Sequence, residues 1–330
     1  MIWKWNKVFA TALLNPLMTQ SLPHFEVLPR DLSAYRAGNT GVDYVHRFDS
    51  GRAGPHVLIN ALTHGNEFCG MVAALHLLDT GVRPQVGTLT VSFANVQAYE
   101  TFDIERPFES RQLVHNLNRV WSVAELEGSA VSPELLRARA LRPVVAAADH
   151  ILDLHSTSQD VQPFWVYSAF ARNAQAARAI GVPAVHLVMP KGLGTGVPLI
   201  EHGRHGEAQG TGVALVAECG QHFHQASADT AIRVTQGFLA HFGLIEPVAL
   251  GVPVAPARRF ELLETFLVET PGFAFVRPLI GFETFDQGEL IATDGAREIR
   301  SLCDGCTVFM PTREPIVGRE AVYLTRPLAD

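Results

Sequence analysis

The sequence predicts an α/β protein in which helices flank a largely parallel central sheet. Five short apolar runs, each bounded by Gly, Asn, Asp or His, have the Val, Ile, Leu and Ala composition of strands buried on both faces. Helix-period patterns lie between these runs, and strands that alternate with helices are typical of a parallel sheet. The predicted strands are HVLINAL from His56, GTLTVSFAN from Gly87, HILDLH from His150, AVHLVMP from Ala184 and GVALVAECG from Gly212.

Helices are predicted most clearly in three segments, Gly70 to Thr80, Pro133 to Ala148 and Ala171 to Ile180, because their apolar residues recur at helical spacing. Ser132 precedes Pro133, and a serine N-cap followed by proline is a frequent helix start. The pattern does not determine the order of the strands within the sheet.

The composition changes after about residue 244. The segment IEPVALGVPVAPARRF is rich in proline and glycine, and no long helical pattern follows it. TDGAREI and CDGCTVF each place Asp-Gly between strand-like flanks, which indicates hairpins. We therefore predict an α/β domain over residues 1–245, a linker from Glu246 to Pro256, and a small all-β domain over residues 246–330.

Charge and composition exclude several classes of protein. The chain has 330 residues and a formal net charge of -7, without a lysine or arginine run long enough for a phosphate-binding surface, so nucleic acid is not an expected partner. No apolar stretch approaches the ~20 residues of a membrane helix. Asn15 and Pro16 interrupt the apolar N-terminus, and the four cysteines are too few for a disulfide framework. We expect a cytoplasmic protein without membrane association that could form a homo-oligomer.

Side chains that bind metals and protons follow three of the predicted strands. His64 and Glu67 follow the first, His155 ends the third, and Glu218 lies near the end of the fifth. Ligands of open α/β sheets bind at the carboxyl ends of strands. Catalytic zinc usually has three His, Glu or Asp ligands and an open position, which His64, Glu67 and His155 would supply. Alone, an H-x-x-E pattern is more often a strand end followed by a solvated helix residue.

Four motifs occur in order along the chain: HGNE at His64, NLNR at Asn116, DLHST at Asp153 and AECG at Ala217. With these motifs the sequence resembles the succinylglutamate desuccinylase and aspartoacylase family, a branch of the zinc carboxypeptidase-like hydrolases. The resemblance covers roughly residues 50 to 320. It implies a carboxypeptidase-like α/β fold, one Zn²⁺ per chain and hydrolysis of a small-molecule N-acyl amino acid, with the small β domain capping the site.

The resemblance also implies individual roles. His64, Glu67 and His155 correspond to the zinc ligands, Glu218 to the catalytic glutamate, Arg111 to the arginine that polarises the scissile carbonyl, and Asn118 and Arg119 to the pair that binds a substrate carboxylate. Guanidinium groups suit both arginine roles, because they bind carboxylates bidentately and stabilise an oxyanion. A glutamate beside a zinc-activated water can carry its proton to the leaving amine. Thr157 is expected in the pocket wall.

Other polar residues carry weaker expectations. Asp153 either orients His155 or is a strand-end acceptor. His222 and His224 are predicted on a surface turn. A glycine-rich loop carries four basic residues that either meet an acidic substrate or are solvated: Lys191, His202, Arg204 and His205.

The cysteines are interpreted as structural. Cys69 and Cys219 are predicted to pack in the core, and a lone C-x-x-C at Cys303 and Cys306 indicates a hairpin rather than a zinc ribbon.

Two alternative functions remain open. A zinc carboxypeptidase or amidase acting on a short peptide or cell-wall fragment would use the same residues, and a non-catalytic zinc- or ligand-binding protein would use the same scaffold. The width of the crevice would distinguish a deacylase from a carboxypeptidase or amidase. Glu218 argues against a non-catalytic binding protein, which would not need a catalytic carboxylate. Relatives that act on acyl-aspartate share a further arginine ahead of the catalytic glutamate. EAQGTGVALVAECG contains none, so recognition of a second substrate carboxylate is in doubt.

Overall fold

A sheet of eleven strands runs through the protein. The computed structural model describes residues 22–251 and 256–329, and the elements below belong to these residues. The strands are β1 (Val45–Asp49), β2 (His56–Ala61), β3 (Thr88–Phe93), β4 (His150–Thr157), β5 (Phe164–Ser168), β6 (Val185–Met189), β7 (Ala214–Gln221), β8 (Arg258–Leu267), β9 (Phe273–Phe275), β10 (Thr284–Phe285), β11 (Leu290–Asp294), β12 (Arg297–Arg300), β13 (Cys306–Phe309) and β14 (Glu320–Leu328). The α-helices are α1 (Phe68–Asp79), α2 (Val96–Tyr99), α3 (Val123–Glu127), α4 (Pro133–Ala147), α5 (Ala171–Ile180) and α6 (Gln225–His241).

The strand order of the large sheet is β1-β3-β2-β4-β7-β5-β6-β8-β14-β13-β10. Strands β3, β2, β4 and β7 are mutually parallel, as are β5, β6 and β8, whereas β5 runs antiparallel to β7. Every residue of β3, β5, β6 and β7 is buried, as continuous apolar runs require. The predicted α/β fold with a parallel-centred sheet is confirmed.

The predicted elements begin and end close to the observed ones. Helix α4 begins at Pro133, and Ser132 Oγ accepts a hydrogen bond from the Leu135 amide at 3.1 Å, so the predicted N-cap is present. Helix α5 has the predicted bounds and ends at Gly181, whose φ of 81° suits a residue without Cβ. Strand β5 and helix α6 were not predicted.

The C-terminal strands continue the large sheet. Strand β8 pairs in parallel with β6, with Arg258 opposite Val185, and β14, β13 and β10 extend the sheet beyond it. Strands β12, β11 and β9 form a second, three-stranded sheet. The C-terminal region is therefore β structure, as predicted, while the division into two domains near residue 246 stays a prediction. Residues 252–255 of the predicted linker lie outside the described residues.

One of the two predicted hairpins is present. Strands β11 and β12 pair across a turn in which Gly295 has a φ of 61°. The second hairpin prediction is wrong, because β12 and β13, which flank the Asp304-Gly305 turn, belong to different sheets. The Cys306 amide closes that turn on the Cys303 carbonyl at 3.3 Å.

The two faces of the sheet carry different layers. Apolar residues of α1, α5 and α6 pack on one face, and those of α4 pack on the other. Within residues 22–251 and 256–329, no helix has the length and apolarity needed to cross a membrane. The N-terminal segment used in the cytoplasmic prediction lies outside the described residues.

Candidate active site

The connection between β2 and α1 carries two of the predicted metal ligands. After β2, Leu62 has the uncommon φ of 56°, and the chain turns through His64 and Gly65 to Glu67, directly before α1. A Cβ on Gly65 would lie 2.3 Å from the Ser110 carbonyl oxygen, which is too close for any other residue. The close packing of this turn fixes where His64 and Glu67 point.

The structure brings His64, Glu67 and His155 together. His64 Nδ1 lies 2.9 Å from Glu67 Oε1, and His155 Nδ1 lies 3.0 Å from Glu67 Oε2. One ligand atom from each residue lies within 4.8 Å of the others, and all three side chains are buried. Two imidazoles and one carboxylate are the donor types of a catalytic zinc site, so these residues fit a metal ion.

Hydrogen bonds on the far side of each imidazole orient the two histidines. Asp153 Oδ2 lies 2.8 Å from His155 Nε2, and Asn116 Oδ1 lies 2.9 Å from His64 Nε2. If Nε2 is the protonated nitrogen in each ring, Nδ1 is left with a lone pair facing Glu67, as a metal ligand requires. Burial lowers the pKa of His64 to about 4, which keeps this imidazole neutral. Asp153 therefore has the orienting contact predicted as one of its two alternatives.

Asp153 is itself held in place. Its Oδ1 accepts hydrogen bonds from Asn60 Nδ2 and Thr63 Oγ1, each at 2.8 Å. Both donors are buried. A satisfied, buried carboxylate of this kind fixes the ring plane of His155.

Glu218 is buried beside the His64–Glu67–His155 group. One of its carboxyl oxygens has no hydrogen-bond partner among the described residues. Glu218 lies opposite His155 in the pairing of β4 with β7, and only 8% of the residue is exposed. Among the described residues, nothing hydrogen-bonds to its Oε2. Burial raises the pKa of Glu218 to about 8, against the opposing effect of His155. An unpaired buried carboxyl group is costly, and such groups with raised pKa values cluster at functional sites.

Arg111 touches the metal-ligand group. Its Nη1 donates to Glu67 Oε1 at 2.9 Å, and one third of its side chain, 33%, is exposed. The guanidinium therefore lies at the edge of the His64–Glu67–His155 group and lines the cleft. This position is compatible with the predicted carbonyl-polarising role, which stays a prediction.

Arg119 is paired with a carboxylate of the protein itself. Its Nε and Nη2 donate to the two carboxylate oxygens of Glu320 at 2.8 and 2.9 Å. Nε also lies 3.1 Å from Thr195 Oγ1, Nη2 donates to the Tyr323 hydroxyl at 3.0 Å, and Nη1 donates to the Asn118 carbonyl at 2.8 Å. Of the five N–H groups of an arginine, these contacts leave one, on Nη1. A substrate carboxylate would bind there or would displace Glu320.

The Arg119–Glu320 pair provides a stability prediction. Burial alone would raise the pKa of Glu320, but Arg119 and the surrounding hydrogen bonds hold it below its ordinary value. We expect Glu320→Gln to lower the free energy of unfolding at pH 7 by roughly 3 kcal/mol, because it leaves a largely buried guanidinium unpaired. A carboxyl group whose pKa is lower in the folded than in the unfolded state stabilises the fold at pH values above its unfolded-state pKa. That stabilisation is lost as the pH falls through its folded-state pKa. The difference between parent and variant should therefore shrink near pH 4.

Urea unfolding at both pH values measures this effect. Glu298→Gln is the matched control, since its partner Arg300 lies at 2.7 Å but both side chains are about half exposed. A loss for Glu320→Gln no larger than that of the control would contradict the prediction.

The other two predicted substrate contacts also hydrogen-bond to the backbone. Asn118 Oδ1 accepts from the Leu199 amide at 2.9 Å, and Thr157 Oγ1 lies 2.8 Å from the Gln159 carbonyl oxygen. Both line the same cleft as the metal-ligand group. The cleft has a volume of about 1050 Å³ and is lined by all eight residues of the predicted site: His64, Glu67, Arg111, Asn118, Arg119, His155, Thr157 and Glu218.

The surface-turn prediction for His222 is wrong. His222 is 3% exposed, lines the cleft, and places its Nδ1 2.8 Å from Ser156 Oγ. Burial lowers its pKa to about 3, so the ring is neutral. The strand-end rule that found Glu218 would also have found His222, which directly follows β7. His224 is more accessible, because 31% of its side chain is exposed. Its Nδ1 lies 3.7 Å from Asp160 Oδ1.

The basic loop residues do not line the cleft. His202 Nδ1 lies 2.9 Å from the Trp121 carbonyl oxygen, and Arg204 pairs with Asp149 at 3.1 Å. His205 is buried away from the cleft, and Lys191 is exposed. The alternative in which these four residues meet the substrate has no support in the structure.

The cysteines are free thiols. Cys69 and Cys219 are buried in the core, as predicted, and Cys69 Sγ donates to the His155 carbonyl at 3.2 Å. Cys303 and Cys306 lie on either side of the Asp304-Gly305 turn. Cys306 is part of an apolar core cluster, and Cys303 packs against that cluster.

Fold and site together define a class of α/β protein: a sheet that is parallel at its centre, with a buried His–Glu–His group that could hold a metal ion and a buried carboxyl group at its carboxyl edge. The family model of the succinylglutamate desuccinylase/aspartoacylase catalytic domain matches residues 53–241, more than half of the chain. The chain belongs to this family, whose named activities are hydrolytic deacylations, and the resemblance of the four motifs is confirmed.

Solved structures share the fold. The succinylglutamate desuccinylase of Vibrio cholerae is 18% identical with a TM-score of 0.67 over 86% of each chain. That of Vibrio parahaemolyticus is 15% identical with a TM-score of 0.65 over 87% of each chain. The product-bound ectoine utilization protein EutE (DoeB) of Ruegeria pomeroyi is 18% identical with a TM-score of 0.60, over 83% of this chain and 85% of the other. No curated protein sequence matches the chain.

Proposed function

We propose that the protein is a zinc-dependent hydrolase that cleaves the amide bond of an N-acyl amino acid. The observation that carries the proposal is Glu218, a buried carboxyl group with an unpaired oxygen directly beside the His64–Glu67–His155 group. Those three residues would hold zinc, which when bound lowers the pKa of the attacking water and polarises the scissile carbonyl. A protein that only binds zinc would have no use for Glu218 at that position.

Glu218 is the group that moves the proton. Its carboxylate accepts a proton from the attacking water and then returns that proton to the leaving amine, so that amide cleavage gives a carboxylate and a free amino acid. Arg111, at the exposed edge of Glu67, supplies positive charge where the carbonyl oxygen becomes an oxyanion.

The remaining site residues position the substrate. We place the α-carboxylate of the amino acid at Arg119 and Asn118, where Arg119 has one N–H group left. Segments of the C-terminal region form part of the cleft wall, including Phe282, Met310 and Tyr323. Because the C-terminal region covers this side of the cleft, we favour a small acyl amino acid over a peptide chain as the substrate, and so the deacylase over the carboxypeptidase alternative.

A substrate panel tests the proposal. N-acetyl, N-succinyl, N-formyl and N-aroyl amino acids are incubated with the zinc-loaded protein, and released amine is measured. We expect turnover of at least one N-acyl amino acid at a rate well above that of dipeptides and muropeptide fragments. Release of amine from the peptides alone would favour the carboxypeptidase alternative, and no release from any compound would contradict the proposal.

A further inference from the structure

The sheet places apolar side chains next to Glu218. In the pairing of β7 with β5, Glu218 lies opposite Phe164, and Val216 lies opposite Val166. Alternate residues of a strand share a face, so Val216 and Glu218 point to the same side, as do Phe164 and Val166. The same face carries His155, which lies opposite Glu218 on β4. The base therefore lies between the metal ligand and an apolar wall.

The wall belongs to a group of apolar residues that line the cleft and share one core cluster. We call this part of the cleft the apolar chamber, and its six lining residues are Phe164, Val166, Met189, Leu193, Ile200 and Val216. Each is at most 7% exposed. These residues also pack against one another in the core on this side of the sheet, and the parts of them that face the cleft gain stabilisation when an apolar ligand group covers them.

The leaving amino acid is the part of the substrate that meets this chamber. Glu218, which protonates the leaving amine, is two residues from Val216 on the same strand and opposite Phe164. Asn118 hydrogen-bonds to Leu199, the neighbour of Ile200. Glu218 therefore borders the chamber, and Asn118 contacts the backbone next to one of its residues, so we place the acyl group on the other side of the scissile bond.

The electrostatics near the chamber do not suit an acidic side chain. Thr195, two residues beyond Leu193, hydrogen-bonds to Arg119, but Glu320 already neutralises that guanidinium. A second carboxylate placed beside Thr195 would meet a guanidinium whose charge Glu320 already balances, and burying it there is costly. The segment EAQGTGVALVAECG, which leads to Glu218, also contains no arginine.

We infer that the amino acid released by this enzyme carries a large apolar side chain, aromatic or branched aliphatic, that binds in the apolar chamber. The inference rests on the proposed function and narrows its substrate class. Filling the chamber with such a side chain should raise kcat/KM over that of a substrate without one by roughly 10- to 100-fold.

The experiment compares N-acetyl-L-phenylalanine and N-acetyl-L-leucine with N-acetylglycine, N-acetyl-L-aspartate and N-succinyl-L-glutamate. We expect kcat/KM to be highest for the first two. Calorimetric titration gives a readout independent of turnover: free L-phenylalanine should bind the zinc-loaded protein more tightly than free L-aspartate. Preference for the acidic compounds in both measurements would overturn the inference and leave the deacylase proposal intact. Cleavage of none of the five would count against the proposed function, and the inference would fail with it.

A variant of Leu193 tests whether the preference for apolar amino-acid side chains arises in the apolar chamber. Leu193→Ala should lower the ratio of kcat/KM for N-acetyl-L-phenylalanine over N-acetylglycine by roughly 10-fold, because it removes apolar contacts from the side-chain site. Leu136→Ala is the matched control, since it removes the same atoms from a residue that is 54% exposed on α4. An unchanged ratio in a folded Leu193→Ala protein would place the apolar side chain elsewhere and overturn the inference.

Discussion

Replacing Glu218 by Gln is expected to lower kcat by roughly 10² to 10⁴ while metal content stays at the parent level, since that is the usual contribution of general acid–base catalysis. The amide keeps the size and shape of the carboxyl group and cannot accept the proton of the attacking water. Glu218 is not one of the three clustered ligand residues, so its replacement should leave them in place. Steady-state kinetics on the best compound of the substrate panel, with elemental analysis of the same sample, measures both quantities.

Glu67→Gln is the contrasting variant. Glu67 contacts both histidines and Arg111, so its replacement should lower zinc occupancy together with activity. If Glu218→Gln instead loses zinc as Glu67→Gln does, or turns over within a few-fold of the parent, Glu218 has a structural or ligand role and the proposed proton transfer is wrong.

Removal of the metal should abolish activity entirely. The three-ligand group predicts about one zinc ion per chain, and dialysis against a chelator should remove it. Added Zn²⁺ should restore turnover. The thermal midpoint should fall in the metal-free protein and recover with zinc, because an ion that binds the folded state stabilises it.

The His64→Ala variant distinguishes removal of zinc from the proposed site from other effects of the chelator on the protein. This variant should bind no zinc and show neither a chelator-dependent midpoint nor activity. Turnover that survives complete removal of divalent metal from the parent protein would end the zinc hypothesis.

The sequence was sufficient for the parts of the site that lie at strand ends. His64, Glu67, His155 and Glu218 each follow or end a continuous apolar run, and parallel strands bring such ends to one edge of a sheet. Local periodicity also predicted α4 and α5, because their caps and apolar faces lie within the same short segment.

Contacts between residues far apart in the sequence cannot be predicted from such local patterns. Glu320 lies 201 residues from Arg119, and nothing near either residue signals their pairing. The reversal of β5 against β7 places Phe164 beside Glu218, although strand order is not encoded in hydrophobic periodicity. The HFH pattern after Gln221 suits a surface turn equally well, and only the fold shows that His222, directly after β7, lies in the cleft.

Strand β14 is the last strand of the chain, yet it supplies Glu320 and Tyr323 to the cleft. Synthesis on the ribosome proceeds from the N-terminus, so His64, Glu67, His155 and Glu218 emerge well before these two residues. A nascent chain would therefore present these four residues before the cleft is complete and before Arg119 can pair with Glu320. A chain that stops before β14 would carry His64, Glu67, His155 and Glu218 without the part of the cleft wall that Glu320 and Tyr323 supply.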